Sequence, residues 1–149
     1  MTSYRASLLA PLLLALASVP AGATATLTCE ADDRNLAFNL IGNIGQSAAA
    51  VLQVTGGSIK LKAVRGKNDE IEFDLQATHL VQQWVFEKEL RIGILTAENK
   101  DISLYLAIVA QRIKSGDEGD RYKGRYVLKV QGPKGTSELK GLIKGCEAG

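Results

Sequence analysis

Few residues of this chain carry reactive chemistry, and their spacing argues against each common kind. His79 is the only histidine. As the base of a Ser-His-Asp set it would need an activated serine, and no Gly-x-Ser-x-Gly elbow occurs. It is expected as a solvated residue in a connection between strands. Zinc sites draw several His or Cys ligands, which one histidine and two cysteines do not supply once the cysteines pair. Asp117-Glu118-x-Asp120 offers carboxylates, yet the twelve-residue calcium loop with its glycine and terminal glutamate is missing. Asp32-Asp33 reads as a turn, and Glu70, Glu72 and Asp74 as a charged outer face. Gly42-x-x-Gly45 and Gly132-x-x-Gly135 are spaced like turn glycines rather than phosphate loops. These patterns assign no catalytic residue, no metal and no cofactor, and the chain is read as a protein that is not an enzyme.

The two cysteines, Cys29 and Cys146, stand 117 residues apart. In an oxidising compartment they are expected to pair, because no Cys-x-x-Cys redox motif gives them another role. Closing so long a loop stabilises by up to about 5 kcal/mol in the chain-entropy description.

That compartment is itself written at the N-terminus. Arg5 precedes an uncharged Ala/Leu-rich run from Ala6 to Val19, then Pro20 and small residues, the order of a cleavable signal peptide. Cleavage is expected after Ala23, with Ala25 as the alternative. Residues 1–23 are then leader and 24–149 a single domain. The run falls short of the roughly 18 residues that mark a membrane span, so no retained anchor is expected. Nor does Cys29 sit in a lipoprotein setting, since Leu27 and Thr28 precede it. The expected location is periplasmic or extracellular. The formal charge of +2 falls by one when Arg5 leaves with the leader, which is far from the basicity that marks a nucleic-acid footprint.

The elements that must position the remaining residues are strands. Apolar and polar residues alternate with period two, and Gly, Asn, Asp or Pro interrupts every few positions. Successive runs fold back with apolar facing apolar. Leu27 and Cys29 oppose Leu40 and Phe38 around Asp32 to Asn35. Val54 and Leu52 oppose Ile59 and Leu61 around a two-residue turn at Gly56-Gly57. Ile59 and Leu61 then face Leu75 and Phe73, with Lys60 and Lys62 opposite Asp74 and Glu72 on the solvent side. Leu90, Ile92 and Ile94 meet Leu106, Leu104 and Ile102. Leu106 and Ile108 meet Leu128 and Tyr126, and Val130 and Leu128 meet Leu139 and Gly141. The Ala48-Ala49-Ala50 stretch could open as a helical turn, and His79 to Phe86 has no clean parity.

The fold class is therefore all-β, an antiparallel meander of about eight to ten strands closing into a small barrel, with a two-sheet β-sandwich as the alternative. The disulfide favours the barrel, because it brings the first and last strands to within bonding distance. Parity also demands a bulge near Gly145 to turn Cys146 inward. An outer-membrane barrel is disfavoured by strands shorter than roughly 9 to 11 residues and by the lack of aromatic girdles.

Most aromatics fall at inward positions. Trp84, flanked by Gln82 and Gln83, and Tyr105, on the polar side of its strand, are the candidate partner contacts. The expected function is binding or accessory: a protein met at the surface in an inhibitor-like manner, or alternatively a small apolar ligand in the barrel lumen, with an enzyme of unknown type as the further alternative. Bulky inward Leu, Ile and Phe leave little room for a ligand in the lumen.

Overall fold

The computed structural model describes residues 24–45, 52–62, 71–99, 102–116, 119–133 and 135–149. Residues 1–23, expected above as a leader, the Ala48-Ala49-Ala50 stretch, Glu70 and the Asp117-Glu118 pair lie outside them. The described chain forms ten antiparallel strands: β1 (Thr24–Asp32), β2 (Leu36–Gly45), β3 (Leu52–Leu61), β4 (Ile71–Asp74), β5 (Leu80–Phe86), β6 (Glu89–Asn99), β7 (Ile102–Lys114), β8 (Asp120–Gly132), β9 (Gly135–Leu142) and β10 (Gly145–Ala148). A 3₁₀ turn, Ala77–His79, precedes β5.

The strands lie in one sheet in the order β4-β3-β2-β1-β10-β8-β7-β6-β5, with β9 also paired to β8. The sheet curls into a half-barrel. Chain ends meet in its middle, where Cys29 of β1 and Cys146 of β10 are direct partners joined by a disulfide, with Cα atoms 4.0 Å apart. Its two edges, β4 and β5, follow one another in the chain and are linked by residues 75–79. The Leu52 amide also donates to the Gln83 side chain, tying β3 to β5.

Alternation decides which residues fill the inside. Leu27, Leu36, Leu40, Ile59, Leu61, Leu90, Ile92, Ile94, Leu104, Leu106, Ile108 and Tyr126 are fully buried. Phe38 meets Tyr126 edge-on, with ring centroids 6.0 Å apart. Burying a side chain of this size stabilises by about 1.5 to 3 kcal/mol, which is why parity holds through the long strands.

Several expected registers are corrected. Gly56-Gly57 is no turn: both glycines lie within β3, which pairs along its length with β2 through Leu36–Leu61 and Phe38–Ile59. A bulge there sets Ile41 opposite Gly56 and Gly42 opposite Val54, and the unmatched Thr55 donates its hydroxyl to the Ile41 carbonyl at 3.3 Å. Gly57 has φ +126°, and a Cβ there would overlap the Asn39 carbonyl. The pairing of β3 with β4 joins Lys60 to Glu72 and Ile59 to Phe73, two residues from the expected register. The registers of β1 with β2 and of β8 with β9 also differ from expectation by two, as Cys29–Leu40 and Leu128–Leu139 show. That of β6 with β7 differs by four, as Ile94–Leu106 shows. Leu106–Leu128 and Ile108–Tyr126 stand as expected. Each slip is an even number, so each keeps the same residues inside.

The two irregularities read from parity are real. Ile143 and Lys144 interrupt the path from β9 to β10 and turn Cys146 inward. A register shift between Leu80 and Gln82 explains the mixed parity before Phe86. His79, expected in solvent, is buried instead. It closes the 3₁₀ turn across the seam, and its Nδ1 accepts the Gln76 amide at 3.1 Å. Six strands, β1, β2, β3, β6, β7 and β8, run nine residues or more, so short strands are no argument against a membrane barrel. Charge on the outer face is the better one, since Arg91, Arg125 and Lys129 stand where a lipid-facing band would be apolar.

Candidate surface on the outer face of β5 to β9

Trp84 points outward from the edge strand β5 and is 43% exposed. On the same strand Phe86 is 58% exposed, and its ring stacks on the indole with centroids 5.8 Å apart and planes 21° from parallel. Across the ladder Arg91 of β6 is the direct partner of Trp84, and its guanidinium lies 5.1 Å from the ring centroid. The Arg91 side chain also bonds Glu89, whose other oxygen accepts the Gln111 amide at 2.7 Å. A cation over an indole face contributes about 0.5 to 1 kcal/mol at an exposed site, enough to orient both groups.

Register extends this pair into a line. Trp84–Arg91, Arg91–Val109, Val109–Arg125 and Arg125–Leu142 are successive cross-strand partners. Five outward side chains thus alternate apolar and cationic across β5, β6, β7, β8 and β9. Leu142, at the far end, is 77% exposed. Neighbouring strands are spaced about 4.8 Å apart, which puts the backbones of Arg91 and Arg125 about 10 Å apart.

Tyr105 belongs to the same face, two rows further on. It pairs with Leu95 and Lys129, and its hydroxyl lies 3.4 Å from Gln82 Oε1. Tyr105 also leans over Gly93, the position between Gln82 and Ala107. The two sequence candidates are therefore on one surface but not in contact. Arg91, Arg125 and Leu142 were missed, because only the register across five strands aligns them; Phe86, two residues from Trp84 on the same strand, was missed because the parity of β5 was unresolved.

Elsewhere the polar groups serve the fold. Asp33 in the β1–β2 turn accepts the Asn35 and Leu36 amides at 2.7 and 3.1 Å and the Tyr126 hydroxyl at 2.5 Å. Burial pushes the Asp33 carboxyl up, but these hydrogen bonds and the Lys62 charge outweigh it and leave the pKa below the usual value. Burial and the same carboxylate drive the Tyr126 phenol well above its ordinary range. At the other end of the half-barrel, Asp120 accepts from Arg112 at 2.9 Å and from Tyr122 at 3.3 Å. A shallow groove of about 290 Å³ crosses the outside of β1 to β4, lined by Glu30, Asp32, Asn39, Lys60, Glu72 and Lys144 among others. Its charges are matched locally, as where Lys62 and Lys144 meet Asp32. Among the described residues no three His, Cys, Asp or Glu side chains gather as for a metal ion.

Comparison with protein-family models, with curated proteins and with solved structures found no match.

Proposed function

We propose that this chain is an exported, non-catalytic binding protein that engages a protein partner through the outer face of β5 to β9, as an accessory or inhibitor-like component of the periplasm or extracellular space. The observation that carries the reading is the exposed Trp84–Phe86 stack with Arg91 held over it on an edge strand. Trp, Tyr and Arg are the side chains that most often dominate protein interfaces, and here they are arranged before any partner arrives. A disulfide and the absence, among the described residues, of a helix long and apolar enough to cross a membrane are compatible with secretion. Tightly packed inward Leu, Ile and Tyr side chains favour a surface site over a ligand in the lumen.

Site-specific photo-crosslinking tests this reading. A benzophenone side chain placed at Phe86, in cells exporting the full chain, is expected to capture one discrete protein, and Trp84→Ala is expected to abolish the capture. Equal yields from position 86 and from a control position on β2 would overturn the reading.

A further inference from the structure

Charge is divided unequally between the two halves of the outer surface. The outward positions of β6 to β9 carry Arg91, Arg121, Lys123, Arg125, Lys129 and Lys140 against Glu89 and Glu138, with Arg121 paired to Glu147 of β10. Those of β1 to β4 carry Glu30, Asp32, Glu72 and Asp74, with Lys60 placed opposite Glu72. Among the described residues Arg125 has no ion-pair partner, while Arg91 is held by Glu89 and stands over Trp84. A fixed cation and an uncommitted one thus flank Val109 in a single row.

We infer that the row Trp84–Arg91–Val109–Arg125–Leu142 is built to take an acidic protein segment in which two carboxylates flank an apolar side chain. This rests on the protein-binding reading above and adds the chemistry of the partner. Two carboxylates, carried over strand positions whose backbones lie about 10 Å apart, meet Arg91 and Arg125, for which planar bidentate pairing is the favoured geometry. The apolar residue between them seats on Val109, and Trp84 and Leu142 close the ends. Alternation is the reason for choosing a protein over an anionic membrane. A lipid surface is laterally uniform and rewards a contiguous apolar patch inside a cationic rim, whereas here cations separate the apolar groups. The acidic outside of β1 to β4 supplies carboxylates but few apolar anchors, which makes a second copy of this chain the poorer occupant.

The test is selection of a random displayed peptide library on the oxidised protein, followed by titration of the selected peptides against wild type, Trp84→Ala and Arg125→Glu. Selected peptides are expected to carry two acidic residues around an apolar one. Arg125→Glu is expected to weaken them at least tenfold, and about 1 M salt, where the Debye length is about 3 Å, to weaken them strongly. Phosphatidylglycerol vesicles are expected to leave Trp84 emission unchanged. Peptides that need Trp84 but lack acidic residues, or that bind Arg125→Glu equally well, overturn this inference and leave protein binding standing. A library yielding nothing that depends on Trp84 counts against both. A blue shift of Trp84 with vesicles, or with rising protein concentration alone, overturns the inference in favour of a membrane or a second copy.

Discussion

At the scale of single residues, the hydrogen bond from Tyr126 to Asp33 ties the core to the first turn. Tyr126→Phe keeps the ring and removes the donor, and is expected to cost about 1 to 3 kcal/mol. Its pH dependence follows from the two shifts. Asp33 is held below the usual carboxylate value, so its contribution is present above about pH 4 and is lost as pH falls through the depressed pKa. Tyr126 is raised, so its contribution is present below about pH 10 and is lost as pH rises further. The difference in denaturation midpoint between wild type and Tyr126→Phe should be flat near neutrality and narrow at both extremes. A difference that grows on acidification would contradict this assignment. Sequence could place Asp33 in a turn and Tyr126 inside, but nothing in the spacing joins residues 93 apart.

Strands were legible as strands because period-two burial is a local signal, and the ten found include every expected hairpin except one. That exception shows where the local signal ends. Gly56-Gly57 fits a tight turn and a bulged strand equally well, and only the ten residues of β2 alongside decide between them. Substitution distinguishes the two at this scale. A two-residue turn of type I′ needs positive φ at both glycines, whereas here only Gly57 has it. Gly57→Ala is therefore expected to destabilise by about 1 to 3 kcal/mol, while Gly56→Ala, with open space around its Cβ, should change little. Comparable losses at the two positions in urea denaturation would point back to a hairpin. Registers slipped by two or four for a related reason: alternation fixes which face a residue takes, and turns fix the offset.

For the whole molecule, the Cys29–Cys146 bridge closes a 117-residue loop and was readable from the cysteine count together with the expected leader. Replacing both cysteines by alanine is expected to cost about 2 to 5 kcal/mol, to be read as a lowered urea midpoint. An unchanged midpoint would show that pairing of β1 with β10 needs no bridge. The proposed binding face was legible only as two isolated aromatics, Trp84 and Tyr105. Its cationic half became visible once five strands were in register, because a row perpendicular to the chain has no sequence periodicity. That face is also where the protein reports on itself, since Trp84 is the only tryptophan. The most direct measurement is its fluorescence with iodide and caesium as quenchers. An outward indole beside Arg91 predicts red-shifted emission quenched readily by iodide and less by caesium, the anion being drawn to the guanidinium. Blue-shifted emission that neither ion quenches would put Trp84 in the core and contradict an open binding face on β5.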